Sequence, residues 1–256
     1  MLQKPLTALA LFSGLALLWM WPFSLSPASM VPDVGDPLHL AYIMAWDAHQ
    51  LAADPARLFE ANSFYPWPSS LAFADHLLPE AILAAPLLWA TGNPALAYNA
   101  MVFVGLVLSA LSMRALLIEA TGSGEAGLLA GLVYAFNGFT LVETTRVHVI
   151  QLQWWPLALL FLNRSASWGA AFGLALSLAL QGLSGSYYLV FSALVAPLWL
   201  GIALLGRTPR PDLRGLGRLA VAALVAAVPV VLVLMPYLAR GLPRSRVSRG
   251  VELLAF

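Results

Sequence analysis

Long apolar runs recur from one end of this 256-residue chain to the other, and they constrain its fold more than any motif does. Hydrophobic residues make up 61% and charged residues 10%, with a mean hydropathy of +0.82. A soluble domain of this length would need far more charge to cover its surface. The class is therefore a polytopic helical membrane protein, all-α and built as a transmembrane bundle. A net charge of +1 says nothing about nucleic acid or acidic partners. The absence of cysteine excludes disulfides, thiolate metal sites and a cysteine nucleophile.

The first run, 6–22, approaches the ~20 residues needed for a span once its flanks are added. With Lys4 before it and small residues near Ser26–Ser29 it resembles a signal peptide. Trp19 and Trp21 sit where aromatic interface anchors lie, and more spans follow, so an uncleaved first helix is the better reading. Further spans read as 95–118, 126–142, 168–186, 187–206 and 219–236, with 149–162 a shorter candidate. A polar, arginine-rich loop, "RTPRPDLRGLGR", separates the last two. The segment 77–91 is short and holds Glu80, Pro79 and Pro86, so it reads as an interfacial helix. About seven spans result, with the N-terminus in the cytoplasm, although arginine and lysine counts on the two sides are nearly balanced. On that topology the loop 23–94, the turn 143–153 and the tail 237–256 share the outer side.

Between the first span and the rest, the acids gather. Asp33, Asp36, Asp47, Asp54, Glu60, Asp75 and Glu80 lie between positions 33 and 80, with His39, His49 and His76 and a single arginine, Arg57. A helix beginning near Pro37 puts Asp36, His39, Asp47, Gln50 and Asp54 on one stripe, interrupted by Ile43. Leu38, Tyr42, Ala45, Trp46 and Leu51 make much of the remaining surface apolar. This is the pattern of a helix lying along a membrane surface, and a merely solvated interfacial helix fits it too. An anchor of that kind favours Lys and Arg, however, so the acids ask for another role. Asp33 and Asp36 are better placed as site residues than Asp54, whose "ADPARL" context reads as a cap or turn.

The order of these features carries a resemblance. Gly35-Asp36-Pro37, Trp46, "LFEANSFYP" at 58–66 and "FADHLL" at 73–78 follow the first span. In that order they resemble uncharacterised bacterial members of the GT-C superfamily of membrane glycosyltransferases. Protein O-mannosyltransferases and dolichol-linked glucosyltransferases belong to the same superfamily. The resemblance implies a core of seven spans, with external juxtamembrane helices after the first, over the whole of 1–256. It implies transfer of a sugar from a polyprenyl-phosphate donor at the outer face of a bacterial-type cytoplasmic membrane. It also implies that an Asp of the first external loop is the catalytic base, which Asp36 matches by position, with Asp33 its local rival. His39, Asp75 and His76 accompany it as substrate-binding candidates. A carboxylate can take the proton of a weakly nucleophilic acceptor hydroxyl, and the departing phosphate needs charge stabilisation from a divalent cation or arginines.

The second external turn, "VETTRVHVIQLQWWP" at 142–156, adds Glu143, Arg146 and His148 as candidates facing the first loop. It has no DxD or DxE pair, so metal dependence stays open. An ordinary polar boundary loop is the competing reading. Arg240, Arg244, Arg246 and Arg249 in the tail offer a phosphate-binding cluster or a plain juxtamembrane basic segment. The ending at Phe256 reads as a truncation, since enzymes of this superfamily continue past the core. Asn99, Ser109, Ser112 and "QGLSGSYY" at 181–188 read as helix-packing residues. Two other classes stay open: a transporter or lipid-linked substrate flippase, and a non-catalytic assembly subunit. A transporter would place ionisable or Gly/Pro-broken sites near span centres.

Overall fold

The computed structural model describes residues 5–64, 66–164, 167–185, 187–188, 190–191 and 213–240. Among them every regular element is helical, as the all-α expectation required. The α-helices are α1 (Pro5–Trp19), α2 (Asp36–Ala53), α3 (Leu78–Thr91), α4 (Pro94–Thr121), α5 (Gly124–Ala135), α6 (Gly138–Val142), α7 (Trp154–Asn163), α8 (Trp168–Ser184) and α9 (Leu213–Arg240).

Local chemistry sets the boundaries. Asn93 caps α4 by accepting from Leu96 N at 2.9 Å, and Pro94 opens the helix where its missing N–H costs nothing. Gly122, at φ 69°, closes α4 in the left-handed conformation, and Ser123 caps α5 at once. The expected span 126–142 is instead broken. Asn137 and Thr140 form a capping box that starts α6 afresh, and the two pieces meet at a 42° bend. The last span begins earlier than expected, because the helix runs from Leu213 through the second half of the predicted loop.

Among the described residues two helices, α4 and α9, are long and apolar enough to cross a membrane, and three spans result if the bent α5–α6 pair counts as one. The helices α1, α3, α7 and α8 are apolar but shorter. At 1.5 Å per residue the 14 residues of α3 reach only ~21 Å, short of the ~30 Å hydrocarbon core. Most of the predicted span 187–206 lies outside the described residues.

The largest core joins α1, α2, α3 and α4 with Val147 and Ile150 of the second turn; Ile43, Leu77, Tyr98 and Val102 are fully enclosed. A second cluster joins α7, α8 and α9 through small residues such as Ala158, Ala171 and Ala222. The start of α4 is tied to the first loop, since Asn99 Nδ2 donates to the carbonyls of Pro27 (2.8 Å) and Met30 (2.6 Å). Tyr98 donates to Thr144 O at 2.8 Å, which brings the second turn to the same end.

That turn is not wholly external. Past His148 it runs down into the bundle, where Gln151 and Gln153 are almost completely enclosed. Gln151 Nε2 donates to Met101 O at 3.0 Å, and Gln153 Nε2 donates to Gln151 Oε1 at 2.9 Å. Gln151 Nε2 also donates to Val147 O at 3.2 Å, satisfying a backbone carbonyl that this non-helical segment would otherwise strand among apolar helices.

Candidate functional site

The N-terminus of α2, the connection before α3, the second turn and the C-terminal ends of α8 and α9 converge around a cavity of about 450 Å³. α2 contributes Asp36 and His39, the connection contributes Asp75, and the turn contributes Arg146 and His148. Tyr187, just past α8, and Tyr237, in α9, complete the wall. Five of the residues singled out in the sequence thus line one space.

At the mouth, Arg146 Nε lies 3.1 Å from Asp36 Oδ2, a contact across 110 residues of chain. Arg146 Nη1 lies 3.0 Å from Glu143 Oε2, so one guanidinium serves two carboxylates. The Arg146 and Asp36 side chains are each about half exposed, at 49% and 58%, which makes the pair a weak tether with ready access to solvent.

Deeper in, His148 Nε2 lies 3.7 Å from Asp75 Oδ2, a distance that a small movement would close to a hydrogen bond. His148 is almost fully enclosed, whereas the Asp75 side chain keeps 32% of its surface. The imidazole stacks on Tyr187, with 6.2 Å between ring centroids. Burial pushes its pKa below the usual histidine value, Asp75 partly offsets this, and Arg146 adds to the depression. Burial thus disfavours the imidazolium form of His148.

The segment that presents Asp75 is clamped on both sides. Tyr237 donates to the carbonyl of Ala74 at 2.9 Å, and His76 Nε2 donates to the carbonyl of Gly182 at 3.0 Å. His76 is enclosed against the Tyr237 ring, so it fastens α8 and α9 to the shelf rather than facing the cavity. Burial lowers its pKa as well.

The remaining candidates fall elsewhere. Asp33 is exposed and turned into its own loop, its Oδ1 accepting from Val34 N at 2.6 Å, and it does not line the cavity. Glu143 acts on the cavity only through Arg146. The proposed stripe on α2 divides: Asp36 and His39 are exposed at the cavity, whereas Asp47 and Gln50 are buried against neighbouring helices. Arg244 and Arg246 lie outside the described residues. Among the described residues, no three His, Asp or Glu side chains are placed to hold one metal ion together. Tyr187 and Tyr237 were not anticipated. Tyr187 lay in a stretch read as helix packing, and the signal for Tyr237 was its position at the C-terminal end of the last apolar run.

The chain matches no family model, no curated protein and no solved structure.

Proposed function

We propose that this protein is a membrane glycosyltransferase of the GT-C type, with about seven spans and the cavity open to the outer face. In this reading it moves a sugar from a polyprenyl-phosphate carrier to an acceptor hydroxyl. The observation that carries the reading is the meeting of Asp36 and Arg146 across one cavity that Asp75 and His148 also line. Transfer needs a group to take the acceptor proton and positive charge near the departing phosphate. Asp36 and Asp75 are the carboxylates at hand, and Arg146 carries the charge. Its planar guanidinium matches the geometry of a phosphate.

The transporter reading would draw on Asp47 and Glu80, the carboxyls buried between α2 and α3. Neither helix is among those long and apolar enough to cross the membrane.

The reading is tested with purified full-length protein in detergent or nanodiscs, offered a panel of polyprenyl-phosphate sugars and hydroxyl acceptors. Transfer is expected with at least one donor, and Arg146→Met should raise the donor KM about tenfold or more. A folded protein inert with every donor would sink the assignment.

A further inference from the structure

We propose that Asp75 is the group that takes the acceptor proton, that His148 positions it, and that Asp36 serves to hold Arg146. The proposal rests on the transferase reading above and assigns the roles within its cavity.

Three features separate the two carboxylates. Asp36 sits at the mouth, more than half exposed, with Oδ2 3.1 Å from Arg146 Nε, so it is placed to orient the guanidinium. Asp75 stands deeper on the cavity wall, its side chain 32% exposed against 58% for Asp36. Its backbone is also fixed on both sides. Ala74 before it is bonded to α9 through Tyr237, and His76 after it is bonded to α8 through Gly182. Leu77, next in the chain, is fully enclosed. A side chain whose flanking residues are pinned to two helices keeps its direction, and this is the preorganisation that proton transfer needs.

His148 stands behind this carboxylate. Its ring is fixed by the stack on Tyr187 and by Gly185, whose missing side chain leaves room for the imidazole: a Cβ there would come within 3.1 Å of His148 Cδ2. Among the described residues its two nitrogens are buried without a hydrogen-bond partner, so Nε2 is held in readiness for Asp75 and is shielded from substrate. His148 is a positioning residue, and Asp75 is the one that touches the acceptor.

In the step itself, an Asp75 carboxylate oxygen takes the proton of the acceptor hydroxyl. The hydroxyl oxygen uses its electron pair to form a bond to the anomeric carbon. The bond from that carbon to the phosphate oxygen breaks, and its pair leaves with the polyprenyl phosphate beside Arg146. The proton then passes from Asp75 to water at the open mouth. No change of oxidation state occurs.

The arrangement carries its own pH signature. Among the described residues, the charged and titratable groups around His148 are Asp75, Asp36, Arg146, His76 and the stacked Tyr187. When His148 protonates, the imidazolium pairs with the Asp75 carboxylate and withdraws it from the acceptor. The rate is therefore low in acid and rises through the lowered histidine pKa, below 6.5.

The experiment compares wild type, Asp36→Asn, Asp75→Asn and His148→Gln for sugar transfer and for binding of a non-transferable donor analogue. Asp75→Asn should lower kcat by about 100-fold or more with analogue binding kept, in line with loss of an acid–base group. Asp36→Asn should keep kcat within about tenfold and weaken donor binding. His148→Gln should shift the acid limb of kcat/KM to lower pH, whereas a purely structural role would leave it in place. If Asp75→Asn does not fold, the His148→Gln profile decides alone, and an unchanged limb overturns the proposal. Retained turnover in Asp75→Asn with collapse in Asp36→Asn overturns it while leaving the transferase reading intact. A wild type inert with every donor removes both.

Discussion

Asp36 and Asp47 lie on the same face of α2 by helical spacing, yet they meet different surroundings. Asp36 is bathed in solvent beside Arg146, whereas Asp47 is 1% exposed and its Oδ1 has no hydrogen-bond partner. Burial raises the Asp47 pKa from 3.8 to about 7. Glu80, equally enclosed on α3, is raised from 4.5 to about 8 by burial, with the nearby Asp47 adding to the rise. The Ser184 hydroxyl beside it donates to Leu180 O in its own helix, and the Glu80 carboxyl stays without a partner. A folded-state pKa above the unfolded one means that the folded chain holds the proton more tightly. Stability is then fully present below pH ~4 and is lost as pH rises toward 7 for Asp47 and 8 for Glu80. Asp47→Asn and Glu80→Gln should each stabilise the protein at pH 8 by on the order of 1–3 kcal/mol and flatten this loss. Thermal unfolding followed from pH 5 to pH 8 measures it, and variants that keep the full pH slope would refute the burial account. The sequence showed that acids cluster in this loop. It did not show which of them α3 and α4 would cover, because helical spacing fixes a face and not what packs against it.

The α4–α5 hairpin shows how an element-level contact was written in the sequence. Gly127 and Gly131 stand one turn apart on α5, and added Cβ atoms there would lie 2.8 Å from Arg114 O and 2.5 Å from Ala110 O of α4. Those neighbours are backbone oxygens, which cannot swing aside, so the two helices pack at a distance only glycine permits. Gly131→Ala should cost about 1–3 kcal/mol in a denaturant titration, while Gly14→Ala, with open space around it, should be neutral or stabilising. Equal behaviour of the two variants would show that close approach is not what these glycines serve. The break between α5 and α6 was equally legible in principle. Asn137 followed three residues later by Thr140 is a helix start, and it lay inside an apolar run long enough to hide it. The second turn was harder to read. Its apolar residues and its glutamines have no helical period, and only the bundle shows the glutamine amides bonded deep within it.

For the whole molecule, the ties at Asn99 and Tyr98 place the first loop, the second turn and the cavity at one end of α4. The Gly122–Ser123 turn marks the other end, where Arg164 Nε bonds Glu119 Oε1 at 2.7 Å. The chain has no cysteine, so single cysteines report cleanly. Cysteines at Gly35 and Val142 should react with an impermeant maleimide from the same side of the membrane, and one at Ser123 from the opposite side. Labelling of positions 35 and 142 from different sides would contradict the shared cavity. Long apolar runs with so few charges already pointed to helices suited to a membrane, because so little charge could not clothe a soluble surface. Local residues settled where helices start and stop, since caps and left-handed glycines act within a few positions. The tertiary structure alone decided that Asp36 would meet Arg146, that His148 would stand behind Asp75, and that Tyr237 would clamp the shelf between them. These contacts join residues some 70 to 160 positions apart, and only packing determines which distant side chains share a cavity.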